Sequence, residues 1–147
     1  MKNNSALFYT CSLIEFIGRR QKLKRSEVVR FMGKQTISRI YRYADVFHCE
    51  PIEKTADDFV ERLNIPEGAF DNVATCRYLL PDYWTIGEVY ERLIEDVCGD
   101  DEEHIIERLE EVYSSWIDDA ISNYNTDFYY QFRQYIYACY QEGEVLV

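Results

Sequence analysis

The chain has 147 residues, with 16 Lys+Arg against 27 Asp+Glu and a net charge of −11. Apolar residues make up 47% and charged residues 29%, a globular composition that excludes a disordered chain. No window of about 18 uncharged apolar residues occurs, which excludes a membrane-spanning helix.

Residues 5–21 are expected to form a first helix. Its apolar positions (Leu7, Cys11, Ile14; Phe8, Leu13, Phe16, Ile17) cover most of the circumference, so it should be central. Glu15 interrupts this stretch, Arg19-Arg20 follow it and no small-residue cleavage site appears, so it reads as structure and not as a leader. Ser26 is placed to cap a short second helix that stops at Gly33. Thr36 is placed to cap a third, in which Ile37, Ile40, Ala44 and Phe47 recur at helical spacing. Pro51 suits the start of a fourth, with Ile52, Ala56, Phe59, Val60 and Leu63 as its buried stripe. Residues 64–84 lack periodicity and hold Pro66, Gly68 and Pro81. They are expected to lay Phe70, Val73, Tyr78, Leu79, Leu80 and Trp84 across the body. Thr85-Ile86-Gly87-Glu88 reads as a capping box opening a helix that stops at Gly99. Asp100–Glu103 places negative charge at the next helix start, ahead of an amphipathic run from Ile105 to Ala120. Asn123–Thr126 breaks that run, and a last helix ends at Gln141 or Glu142 before Gly143. The expectation is an all-α bundle of six or seven helices in one domain, 1–147, with possible subdomains 1–63 and 85–147 joined by 64–84.

Charge is unevenly placed. Residues 1–49 carry ten Lys+Arg against three Asp+Glu, a net of +7, and the remainder carries −18. Such polarity marks either a nucleic-acid or acidic-partner surface at one end, or two ends that pair inside the fold or across a dimer. The five cysteines (Cys11, Cys49, Cys76, Cys98, Cys139) form no C-x-x-C pair, which fits free thiols in a reducing cytoplasm.

Four constellations bear on chemistry. Ser26–Ile40 resembles a helix-turn-helix, with Arg30, Lys34, Gln35, Arg39 and Arg42 as candidate nucleic-acid contacts. Its apolar residues Ile37 and Ile40 fall two places early for that motif. His48-Cys49 places a base beside a thiol, but neighbours on a helix diverge by roughly 100°, so the pair reads as a helix end. Asp101, His104 and Glu107 lie three apart on an acidic helix start and read as a solvated face. Of 13 tyrosines, six crowd the closing stretch. There Tyr129, Phe132, Ile136 and Cys139 suit a core stripe, leaving Phe128 with Tyr135 and Tyr130 with Tyr137 for a partner. No phosphate loop, dinucleotide turn, nucleophile elbow or zinc-protease motif occurs, so no catalytic residue, metal or cofactor is expected.

The run Ile40-Tyr41 followed by Tyr43-Ala44-Asp45-Val46-Phe47-His48, with the acidic helix ending in Phe59-Val60, resembles a family of small all-helical bacterial proteins of unknown function. The resemblance covers residues 20–63, and some members are thought to be encoded beside toxin-like proteins, which implies an antitoxin-like or accessory role. The leading expectation is therefore a protein-interaction module whose partner is another protein or a second copy. A DNA-binding regulator is the alternative, and an enzyme of unrecognised type a further one. No membrane partner is expected.

Overall fold

A computed structural model describes residues 4–147. Helix α1 (Ser5–Gln21) starts where the Asn4 side chain accepts the Leu7 N–H at 3.0 Å, and ends where Lys22 turns left-handed with φ 54°. Every residue from Leu7 to Gly18 except Phe8 and Phe16 is buried, so α1 is the central helix, as its pattern implies. α2 (Arg25–Arg42) begins at Lys24, whose N–H the Glu27 carboxylate accepts at 3.0 Å. Ser26 is therefore inside the first turn, not at the cap. Gly33 (φ 78°, ψ 161°) breaks α2 into two segments, a conformation that only glycine adopts readily. The second segment runs on directly from the break, without a Thr36 cap, and stops at Tyr43 before the single turn α3 (Ala44–Phe47).

α4 (Ile52–Leu63) follows Pro51 as expected. α5 (Tyr83–Cys98) starts two residues before the expected box, because Asp82 and not Thr85 is the cap: its carboxylate accepts the Thr85 N–H at 2.7 Å. α5 stops at Gly99. A 3-10 turn (Glu102–His104) leads into α6 (Ile105–Tyr113). The expected single helix through Ala120 is broken at Ser114–Trp116, and α7 (Ile117–Ser122) follows. Ser114 and Ser115 each donate to a carbonyl of the preceding turn at 2.7 Å, local bonds that compete with helix continuation. A second 3-10 turn (Phe128–Tyr130) precedes α8 (Arg133–Glu142). Among the described residues the fold is thus all-α, with eight α-helices where six or seven were expected, and no strand. None of these helices is long and apolar enough to cross a membrane.

α1 packs most extensively on α5, and α2 lies against α1 and α6. The closest approach is at Gly87 of α5, where an added Cβ would come within 2.9 Å of the Ser12 Cα. The buried cluster runs from Leu7 to Cys139, so both ends of the chain build it. Inside it, Tyr90 and Tyr113 stack at 4.2 Å.

A charged network lies at its centre. Arg25 donates from Nε to Asp118 at 2.7 Å, from Nη2 to the Ser122 hydroxyl at 2.6 Å, and from Nη1 to Glu15 and to the Tyr124 hydroxyl. Tyr90 donates to Asp118, and Tyr124 donates to Glu15 at 2.7 Å. Burial alone would raise the Glu15 carboxyl, but the Arg25 and Arg19 guanidiniums outweigh it and hold it below the ordinary value. Burial would likewise lower Arg25, yet the surrounding acids and phenols hold it well above its ordinary range.

Ion pairs in this network and on the surface account for much of the charge asymmetry. Of the nine basic residues between 19 and 42, five enter intrachain ion pairs: Arg19 and Arg25 with Glu15, Arg25 with Asp118, Arg20 with Asp57, Lys24 with Asp119, and Lys34 with Glu107. Four of these five basic residues reach into the acidic part of the chain. Lys22, Arg30, Arg39 and Arg42 stay exposed.

Candidate partner-binding surface

Between α4 and α5 the chain forms a strap without helix or strand, residues 65–82. Bonds to its backbone hold it down. Gly68 N–H donates to the Gln21 carbonyl at 2.7 Å, and Phe70 N–H to the Lys22 carbonyl at 2.9 Å. Asn72 donates to the Ser122 carbonyl at 2.8 Å. The Asn125 side chain accepts the Arg77 N–H at 2.7 Å and donates to the Thr75 carbonyl at 3.1 Å. Arg19 donates to the Pro81 carbonyl at 2.6 Å. Phe70, Val73, Leu80 and Trp84 are half-buried, as expected of a strap that crosses the body. Tyr78 and Leu79 do not follow: they are 68% and 93% exposed. The Arg77 guanidinium lies 6.0 Å from the Tyr78 ring.

The strap meets the segment ahead of the second 3-10 turn through Asn125 and through Tyr124, whose carbonyl faces the Cys76 thiol. Tyr124 packs edge-on to Tyr129 at 5.7 Å, and Tyr129 edge-on to Tyr130 at 5.0 Å. The row of rings ends in water: Tyr130 is 66% exposed and Phe132, just beyond it, 83%. Beside them a cavity of about 140 Å³ opens between α5 and α8, with Val89, Leu93 and Ile136 as its apolar wall and Tyr129 and Tyr130 at its edge. Arg133 fixes this end of α8 by donating to Asp96 at 3.0 Å and to Glu95 at 3.2 Å. Large exposed apolar side chains gathered beside a cavity are the physical signature of a contact surface.

Of the four aromatic residues proposed for a partner, only Tyr130 is freely exposed. Phe128 is buried, at 6% exposure, and packs edge-on to Tyr135 at 6.1 Å, so it supports the surface from beneath. Tyr135 and Tyr137 are half-buried on α8, and Tyr135 donates to the Leu146 carbonyl. The expected continuous helix does not form across residues 128–132: the 3-10 turn and the extended backbone of Gln131 and Phe132 separate them from α8. Phe132 therefore leaves the core stripe to which its spacing assigned it. Helical spacing could not reveal Phe132, Tyr78 or Leu79 as surface residues, because none of them is inside a helix.

The other candidates are less convergent. Arg30, Lys34, Gln35, Arg39 and Arg42 all lie on the exposed side of α2, with Lys34 spent on Glu107 at 2.8 Å. Asp101 and His104 pair with each other at 2.8 Å on the surface, and that contact raises the imidazole's affinity for its proton. Glu107 turns to Lys34, so these three do not converge, and among the described residues no cluster suited to a metal forms. His48 and Cys49 are exposed on adjacent positions. Burial pushes the Cys11 thiol up to about 12, which keeps it protonated and unreactive.

One titratable pair escaped the sequence reading. The Asn4 backbone N–H donates to both Glu91 and Glu95, at 3.1 and 2.9 Å. Burial, with Glu95 beside it, pushes Glu91 up to about 7. The signal was the pair of carboxylates four apart on α5, which share one helix face.

Comparison with protein-family models, with curated proteins and with solved structures returned no match.

Proposed function

We propose that this chain is a protein-interaction module whose contact surface is the aromatic edge formed by Tyr78, Leu79, Tyr130 and Phe132. The observation that carries this reading is the exposure of Tyr130 at 66%, on the wall of the cavity between α5 and α8, with Phe132 two residues on at 83% and Leu79 of the strap at 93%. Side chains of this size lose about 1.5–3 kcal/mol each when left in water and regain it on burial against a partner. The surface is also held rigid. Asn125 fixes the strap, and Arg133 fixes the start of α8, so less ordering entropy is lost on binding. The resemblance over residues 20–63 supports a partner of the toxin-like kind, with this chain in an antitoxin-like or accessory role.

The test is capture of the tagged chain from native lysate, with nuclease present, alongside a Tyr130→Ala, Phe132→Ala variant. A stoichiometric protein held by the parent chain and lost by the variant, while both melt at the same temperature, supports the reading. Equal capture by both chains rejects this surface.

A further inference from the structure

The outer side of α2 carries the one part of the sequence pattern that the proposed function leaves unused. Ile37 and Ile40 point into the core, at full burial, and this turns Gln35, Arg39 and Arg42 outward at intervals of four and three residues. Tyr43 and Val46 continue that row, 46% and 61% exposed. Two residues before Gly33, Phe31 is 38% exposed and the Arg30 guanidinium lies 5.4 Å from its ring. Among the described residues Arg30, Arg39 and Arg42 enter no ion pair, although this chain carries a net charge of −11.

We infer that this side of α2 and α3 is a second docking surface, for an acidic polypeptide segment with aromatic or aliphatic anchors. Charge complementarity selects the acid: five of the nine basic residues between 19 and 42 are consumed internally, and of those left free Arg39 and Arg42 stand together on this row. The apolar members select a polypeptide. Phe31, Tyr43 and Val46 offer area that a side chain can cover and that a phosphate backbone cannot. Three guanidiniums also fall short of the roughly 6–10 phosphate contacts of an ordinary duplex site.

The experiment is fluorescence anisotropy with three labelled probes at low salt: a random copolymer of glutamate and tyrosine, polyglutamate, and a short DNA duplex. The copolymer should bind most tightly, and an Arg39→Glu, Arg42→Glu variant should lose about tenfold or more in affinity. The variant Arg39→Gln, Arg42→Gln, which keeps polar side chains on an exposed face, repeats the measurement should the first prove unstable. The Tyr130→Ala, Phe132→Ala variant should bind the copolymer unchanged, which separates this surface from the aromatic edge. Tighter binding of the duplex, lost in the arginine variants, would overturn the inference in favour of nucleic acid. Polyglutamate binding as tightly as the copolymer, or copolymer binding indifferent to both arginine variants, would overturn it outright. So would a dimer in light scattering without any probe that the arginine variants disperse, since the occupant would then be a second copy.

Discussion

The Arg25 guanidinium and the Asp118 carboxylate meet at 2.7 Å across 93 positions of chain, each about 4% exposed. This contact joins the basic beginning of the chain to its acidic end in the middle of the core. Glu15, Tyr90, Tyr124 and Ser122 complete its hydrogen bonding, so no charge there is left alone. Removing the cation alone leaves two carboxylates buried. Arg25→Met should therefore cost about 3–5 kcal/mol in urea unfolding. A loss under about 1 kcal/mol would mean that the network is not what holds the two ends together.

Protonation acts on stability in two opposite directions. Glu91 titrates at about 7 in the fold against an ordinary value of 4.5. Its folded value is raised, so its contribution is full below about pH 4.5 and is lost as pH rises through about 7. Above that, Glu91 is charged beside Glu95 around one N–H, with Glu88 nearby on the same helix. Glu15 is lowered, so its contribution is present above its ordinary value of 4.5 and is lost as pH falls below it. Glu91→Gln should keep the acid limb and flatten the decline between pH 4.5 and 7. Melting temperatures of both chains across that range check this, and parallel curves would refute it.

Gly87 sets the spacing of α1 and α5. A methyl group there would meet Ser12 Oγ at 2.0 Å and the Ser12 backbone at 2.9 Å. A serine rotation relieves the first contact but not the second. Gly87→Ala should destabilise by about 1–3 kcal/mol, although alanine favours helix over glycine. A stabilised variant would show that the two helices can separate at no cost.

Phe128 and Phe132 are four residues apart and should behave oppositely. Phe128→Ala opens a cavity under the second 3-10 turn and should cost about 3–5 kcal/mol. Phe132→Ala removes a side chain that is 83% exposed and should stay within about 0.5 kcal/mol of the parent. Chemical denaturation of the two single variants separates them, and similar losses would place Phe132 in the core.

The sequence was most legible where one helix carries an uninterrupted apolar pattern. α1 and α4 follow their expected bounds, and Gly33 and Gly99 break the chain where their positions imply. It was less legible where a side chain competes for a backbone group. Asp82 takes the cap from Thr85, and Ser114 and Ser115 end α6 early, choices that periodicity does not encode. The candidate surface was half legible. Tyrosine crowding pointed to residues 128–137, but Phe128 and Phe132 exchanged roles because a 3-10 turn and the extended Gln131 lie between them in place of an α-helix. Arg25 stood in the sequence as one more basic residue, and only the fold reveals that it is held between Glu15 and, 93 residues further along, Asp118.

The central claim is that the aromatic edge is where a partner binds. Hydrogen–deuterium exchange on the captured complex against the free chain tests it most directly. Slowed exchange is expected over residues 76–80 and 128–133 alone, with the amides of α1 unchanged. Protection over 34–46 alone, or none anywhere, would contradict it.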